Sequence, residues 1–298
     1  MVWELKFIEL LQARGNGFWD FFWNFFTLFG EEMLLVGIIG LVYWCFDKKI
    51  GENLTYCVLT SAALNGVIKN AVVRLRPLDS YPESSVINKK PKSATGYSFP
   101  SGHSQASATL FTSLAANKPK KLLIAAAVVI PLLVVFSRVY LGVHFPTDAL
   151  AGFFVGVAVA LICHRLHNKI ENKLLLYGMT VGIMLAGGLF IFLNADADYE
   201  HAKDYFTALG MLLGCLGGFL FEHKFVNFEY NKVWWKLLLR LAGGAVIVAG
   251  FRYGLGELFG LITKEHNILA RLLDTLRYAL MSFAAIGLYP LLFKKLNF

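Results

Sequence analysis

Charge is scarce in this chain. Asp, Glu, Lys and Arg make up only 16% of its 298 residues, hydrophobic residues make up 57%, and the mean hydropathy is +0.57. That balance excludes an ordinary soluble globular domain. Cysteine is nearly absent: Cys45, Cys57, Cys163 and Cys215 all fall within or at the ends of apolar runs, with no CxxC spacing. Such placement points to packing and leaves the redox compartment open. Neither cysteines nor acidic residues cluster in a way that suits a metal ion. No internal repeat or low-complexity tract stands out. The N-terminus, MVWELKFIELLQARGN, lacks a basic n-region and a small-residue cleavage site, so it reads as a mature amphipathic helix and not as a signal peptide.

What fills the chain is a series of apolar runs, at 31–47, 53–73, 102–117, 122–138, 147–164, 174–193, 205–221, 237–257 and 268–293. Most approach the ~20 residues that a helix needs to cross hydrocarbon. The stretch GFWDFFWNFFTLFG at 17–30 is aromatic but interrupted by Asp20 and Asn24, which suits a short span, a re-entrant segment or an interfacial helix. The expected fold class is all-α, a polytopic membrane helical bundle of about nine or ten spans.

The net charge of +8 is informative by position. Short basic connections, DKK at 47–49, NKPKK at 117–121, HRLHNK at 164–169 and FKK at 293–295, all fall on one side when the runs are threaded, together with 222–236. The positive-inside rule makes that side cytoplasmic. The opposite side receives the loop 74–101, the turn 138–146, the acidic connection NADADYEHAKD at 194–204 and the bend near 258–267. A basic chain explained in this way needs no nucleic acid as partner.

Three segments are expected. Residues 1–30 form an N-terminal amphipathic, interfacial or short membrane segment, 31–165 a core, and 174–298 a C-terminal transmembrane extension of about four spans with no assignable role. The long polar insertion in the core is the loop 74–101, with Pro77, Pro82, Pro91 and the cluster Lys89, Lys90 and Lys92; long loops in compact proteins are often functional.

Three polar clusters share the side opposite the basic connections. In KNAVVRLRP, Lys69 and Arg76 are seven residues apart, two helical turns, so both project from nearly one face where a span surfaces, and two cations at one exit invite an anion. The ordinary reading of Arg74 and Arg76 is that they are interfacial anchors. In PSGH at 100–103, Ser101 is a natural N-cap and Gly102 lets backbone approach a ligand. Free amides at a helix start hold phosphate oxygens, and His103 in the first turn can give or take a proton; simple capping with a surface histidine is the alternative. In SRVYLGVHFPTD at 137–148, Arg138 offers a planar fork for phosphate. Asp148, four residues after His144, can accept a hydrogen bond from one ring nitrogen and leave the other as a nucleophile. A structural His–Asp pair is the alternative there. Together the clusters describe a site for a phosphate monoester or the end of a diphosphate.

The motifs KxxxxxxRP, PSGH and SRxxxxxHxxxD, in that order, resemble the three signature motifs of the type-2 phosphatidic acid phosphatase superfamily, also called lipid phosphate phosphatases or the acid phosphatase/haloperoxidase superfamily. The resemblance covers residues 69 to 148 directly and implies a six-span core through about residue 165. The same resemblance implies that Lys69, Arg76 and Arg138 hold the phosphate, with Ser101 and the Gly102 amide completing the cradle. It implies that His144 is a nucleophile forming a phosphohistidine, that Asp148 orients it, and that His103 protonates the leaving group, with no metal and no cofactor. The implied activity is hydrolysis of a membrane lipid phosphate: polyprenyl diphosphate, phosphatidate, phosphatidylglycerol phosphate or sphingoid-base phosphate. A lipid phosphotransferase using the same histidine is an alternative, as are a vanadate-dependent haloperoxidase and a non-enzymatic transporter or scaffold. Family habit adds a bacterial plasma membrane, with the site on its extracytoplasmic side. Partners are then the substrate and membrane lipids, and the oligomeric state is left open.

Other polar residues receive ordinary readings. Glu31 and Glu32 suit a helix N-terminus, with a place facing the cavity as the alternative. His164 and His167 fall in a basic turn. Arg252, Glu257, Arg271, Asp274 and Arg277, charges near or within apolar runs, suggest an ion-pair network in the C-terminal bundle, with contact to the substrate as the alternative. Glycine-rich stretches such as LLGCLGGFL suit close helix packing.

Overall fold

The computed structural model describes residues 2–90, 96–194, 199–229, 233–263 and 268–296, and every regular element among them is helical. In chain order these are α1 (Val2–Ala13), α2 (Gly17–Thr27), α3 (Glu32–Leu41), α4 (Lys48–Val72), α5 (Pro77–Ser80), α6 (Gly102–Asn117), α7 (Lys121–Tyr140), α8 (Pro146–Lys169), α9 (Lys173–Asn194), α10 (Tyr199–Phe221), α11 (Trp234–Ile262), α12 (Ile268–Phe283) and α13 (Pro290–Leu296). Pro91, Lys92 and residues 195–198 of the acidic connection lie outside the described residues.

Among the described residues, seven helices are long and apolar enough to cross a membrane, or eight spans if α2 and α3, bent by 52° at their junction, count as one. This is an integral membrane protein of the all-α class. The count falls below the nine or ten expected for two reasons. The run at 31–47 does not stand alone but continues α2 through the bend at Gly30. The other reason is α6, whose 16 residues rise only ~24 Å against a hydrocarbon core of ~30 Å. Its shortness has a cause: α4, α7 and α8 all pack against it. Ser104, Gln105, Ser107, Thr109 and Ser113 along it are buried. A helix shielded from lipid need not match the bilayer.

Polar contacts set the register of α6 on α4. Gln105 Nε2 donates to Ser61 O at 2.8 Å, Asn65 Nδ2 donates to Gln105 Oε1 at 2.8 Å, and Ser61 and Thr109 hydroxyls pair at 2.9 Å. Interhelical hydrogen bonds in membranes contribute about 1 kcal/mol each, so this seam fixes where the start of α6 stands relative to the end of α4.

At the other end, Lys48 Nζ meets Glu222 at 2.9 Å and His223 Nε2 meets Glu52 at 3.1 Å. His167 Nε2 stands 3.5 Å from Glu52, and His167 is buried; it belongs to this cluster and not to a solvated turn. These contacts gather the basic connections at one end of the bundle. In the C-terminal half, α10 packs between α4 and α12. Arg277 pairs with Asp274 at 2.6 Å, and Arg252 Nη1 meets the Met33 sulfur at 3.6 Å.

Candidate active site

The end opposite the basic connections brings together the last turns of α4 and α7, the first turns of α6 and α8, and the two loops between them. Asp47 caps the start of α4 by accepting from Ile50 N at 3.1 Å, and α4 ends at Val73 in a left-handed conformation, φ 54°. Lys69, one turn beyond Asn65 on α4, is buried just below that end. Arg76 follows where Pro77 starts α5.

Arg76 is held by backbone: Nε donates to Gly96 O at 3.0 Å and Nη1 to Val143 O at 2.8 Å. The same Nη1 lies 3.3 Å from His144 Nε2. An arginine only donates, so Nε2 carries the lone pair and the ring proton sits on Nδ1. Nδ1 in turn lies 3.3 Å from Ser98 Oγ. Ser98 Oγ donates to Asp148 Oδ2 at 2.5 Å. Donor and acceptor roles therefore run in one direction, from His144 Nδ1–H to Ser98 to Asp148. The direct His144–Asp148 separation is 3.9 Å.

Asp148 is completely buried and fully used. Oδ2 also accepts from Phe145 N at 3.0 Å, and Oδ1 meets Arg74 Nη1 at 2.5 Å. Arg74 lies over the Phe145 ring at 4.3 Å and reaches Glu4 of α1 at 2.7 Å. The reading of Arg74 as an interfacial anchor gives way to this: it joins the N-terminal helix to the buried carboxylate. Burial, with the Arg76, Arg138 and Lys69 cations around it, holds His144 well below the ordinary histidine value of 6.5. The ring is thus neutral at neutral pH, with an unprotonated nitrogen among cations.

His103, in the first turn of α6, stands 3.6 Å from Glu31 Oε1, and Glu31 accepts from Lys90 Nζ at 2.7 Å. Glu31 is thus more than a helix-start acid, because it faces the second histidine. The approach needs Gly30, where an added Cβ would lie 2.7 Å from His103 Cβ.

Lys69, Arg76, Gly102, His103 and His144 line one cavity. Its walls become apolar away from them, through Leu35 and Ile39 of α3, Val58 of α4 and Met211 of α10. Three of the expected residues stand behind this lining. Ser101 is the N-cap of α6, its hydroxyl accepting from Ser104 N at 3.5 Å. Arg138 is completely buried with Nη1 donating to Thr27 Oγ1 at 3.0 Å, and Asp148 sits beneath His144. Ser98 escaped sequence reasoning: it lies three residues before Ser101 in SFPSGH, a spacing that carries no periodic signal. Glu31, weighed by sequence as a helix-start acid or a residue facing the cavity, stands 3.6 Å from His103. Among the described residues, no group of three or more His, Cys, Asp or Glu side chains is placed to hold a metal ion.

The chain is similar to known proteins over this region. An undecaprenyl-diphosphatase from Sulfolobus acidocaldarius is 30% identical over 156 residues, covering 50% of this chain and 74% of that one. Phosphatidylglycerophosphatase B from Bacillus subtilis is 36% identical over 151 residues, covering 46% and 68%. The crystal structure of a transmembrane PAP2-type phosphatidylglycerolphosphate phosphatase from Bacillus subtilis aligns with a TM-score of 0.47 at 26% identity, covering 57% of this chain and 86% of that one. Family models match at residues 52–172, the PAP2 superfamily, and at 206–298, the PAP2 superfamily phosphatase, transmembrane extension. With its motifs gathered at one end of the bundle and these relatives around it, the chain belongs to the PAP2 superfamily, whose members named here are lipid phosphatases.

Proposed function

We propose that the protein hydrolyses the phosphate of a membrane lipid through a phosphohistidine on His144, without a metal. The observation that carries this reading is the placement of His144 Nε2, an unprotonated nitrogen 3.3 Å from Arg76 Nη1, in a cavity shared with Lys69 and His103. In this reading a phosphate enters between Lys69, Arg76 and the start of α6, with Arg138 adding positive charge from behind and Ser101 holding the helix start so that the Gly102 amide faces the anion. Nε2 then attacks phosphorus in line with the departing oxygen. The N–P bond forms as the P–O bond breaks, and His103 gives the leaving oxygen its proton. The ring that results is cationic, and the chain through Ser98 to Asp148 stabilises it. Water next gives a proton back to His103 and attacks phosphorus, the N–P bond breaking with its electron pair returning to Nε2, which restores neutral His144 and releases phosphate. Phosphoryl transfer asks mainly for positioning and for positive charge on the equatorial oxygens, and fixed cations with a helix N-terminus supply both.

The apolar walls below the cradle suit a lipid tail, so phosphate and tail meet at the membrane surface. The gathering of the basic connections at the far end supports, by the positive-inside rule, a site on the extracytoplasmic side, in this reading the outer face of a bacterial plasma membrane. Substrates in this reading are polyprenyl diphosphate, phosphatidate, phosphatidylglycerol phosphate or sphingoid-base phosphate. The test is phosphate release by purified protein in detergent with EDTA, across these lipids, beside His144→Ala. Release that EDTA spares and the substitution abolishes is the expected result. Release that needs added metal, or survives His144→Ala, overturns the mechanism.

A further inference from the structure

The loop that ends at the start of α6 is held from the extension as well as from the core. Gly96, Tyr97 and Ser98 are consecutive, and the two outer residues each carry a contact on which the phosphate cradle depends. The Gly96 carbonyl accepts from Arg76 Nε at 3.0 Å, and Ser98 Oγ joins His144 to Asp148. The core secures one end of this segment, because Ser98 N donates to Arg74 O at 2.7 Å. Tyr97, between the two, meets α10. Its ring stacks on that of His201, with centroids 4.2 Å apart and planes 26° from parallel. The α10 backbone is close as well, since a Cβ on Gly96 would lie 3.4 Å from His201 O. Gly96 is in the left-handed region at φ 61°, a conformation with little to hold it locally, so a ring contact at the next residue bears directly on where its carbonyl points.

The direction of influence follows from how each partner is supported. α10 packs between α4 and α12 and keeps its place without the loop. One face of it serves the site along its length: His201, Asp204, Ala208 and Met211 recur at helical spacing, and the last three line the phosphate cavity. From these contacts, and resting on the phosphatase reading above, we infer that the C-terminal extension is a working part of the active site, with His201 as a positioning residue. Through the Tyr97 ring it sets the Gly96 carbonyl against Arg76 and the Ser98 hydroxyl between His144 and Asp148. The role needs the flat ring of His201 and not its proton chemistry.

The test is a double-mutant cycle on the full-length protein in detergent, with Tyr97→Ala, His201→Ala and the pair. His201→Phe, which keeps a ring for Tyr97 to stack on, stands beside them. Two quantities are read per folded molecule: the Kd of inorganic phosphate by calorimetry, which needs no turnover, and kcat/KM for whichever of the lipids named above is hydrolysed fastest. His201→Ala is expected to weaken phosphate about threefold to tenfold, as loss of one aromatic pair allows. It should lower kcat/KM by about tenfold or more, because Ser98 is misplaced together with Arg76. The double substitution should be no worse than the poorer single one, as two halves of one contact require, and His201→Phe should stay within about threefold of wild type. A brace for folding alone would leave both quantities unchanged per folded molecule, and that result overturns the proposal. Losses that multiply in the double substitution overturn it too, as does a His201→Phe protein as impaired as His201→Ala. A wild type that binds no phosphate overturns this proposal and the phosphatase reading together. Phosphate binding that follows the expected pattern, in a protein that releases phosphate from none of those lipids, would sink the hydrolase reading and leave the positioning of Arg76 standing.

Discussion

His144 and Asp148 do not touch. Nδ1 and Oδ2 stand 3.9 Å apart, and the Ser98 hydroxyl fills the interval, 3.3 Å from the ring and 2.5 Å from the carboxylate. A relay of this kind fixes the tautomer as well as the ring's direction, since a hydroxyl that donates to Asp148 can only accept from Nδ1–H. Removing it leaves a buried ring and a buried carboxylate too far apart to bond.

Ser98→Ala is therefore expected to lower kcat by about tenfold to a hundredfold, the range that a misplaced reacting group costs, with KM nearly unchanged. Ser98→Thr, which restores the hydroxyl, should recover much of the loss. A role in packing alone would give the reverse, with Ala tolerated and the larger Thr damaging. Steady-state kinetics on the preferred lipid decide between them.

The neutral state of His144 gives a pH prediction with a definite sign. Burial and the surrounding cations put its folded value well below 6.5, so its lone pair persists as pH falls through the ordinary histidine range. The acid limb of kcat/KM, corrected for ionisation of the substrate, should fall below pH 6.5 by a clear margin. Stability follows the same linkage: the unfolded chain binds this proton near 6.5 while the folded chain does not. The contribution of His144 is therefore complete above that value and is lost as pH falls toward the folded one. A limb at or above 6.5 would contradict the environment described.

Scarce charge and repeated apolar runs are enough to read the fold class from the sequence, because lipid admits few solutions for a helical chain. The three motifs are legible too, but helix spacing is not what joins their residues: α4 ends at Val72 with Val73 left-handed, so Arg76 stands outside the helix that carries Lys69, and His144 precedes the start of α8 at Pro146. What the sequence hides depends on contacts between segments distant along the chain. Ser98 meets Asp148 across 50 residues, and Glu31 meets His103 only because α2 and α3 bend at Gly30. The short α6 is also illegible as such, since hydropathy does not show that neighbouring helices shield it.

Arg74 bears on stability more than on binding. Its guanidinium pairs with Asp148, Glu4 and Thr147, at 2.5, 2.7 and 2.7 Å. The Arg74 side chain is partly exposed and Asp148 is not, so its removal strands a buried carboxylate. Arg74→Ala is expected to cost about 2–3 kcal/mol, below the full value for a wholly buried pair. Glu4→Gln, which keeps the shape and loses one charge, should cost about 1 kcal/mol or less. Chemical denaturation in detergent compares the two; equal effects would mean that α1 and not Asp148 is the partner that matters.

The C-terminal extension enters the site through α10, and α4 packs tightly on it at Gly66. A Cβ at Gly66 would lie 2.6 Å from Tyr205 Cβ and 2.9 Å from its Cα, so a methyl there must displace α10 backbone and not a flexible side-chain tip. Asp204, Thr207 and Met211 on the same helix line the phosphate cavity, and they move with it. Gly66→Ala is expected to destabilise the protein by about 1–3 kcal/mol, as overpacking does, and to lower kcat/KM for lipid. Lipid and a small water-soluble phosphate ester separate the two roles of α10. If the helix only braces the core, activity on both substrates falls in proportion to the folded fraction. If it forms a wall of the site, the folded Gly66→Ala protein loses activity on the lipid beyond that on the small ester, because only the lipid reaches from the cradle to Met211.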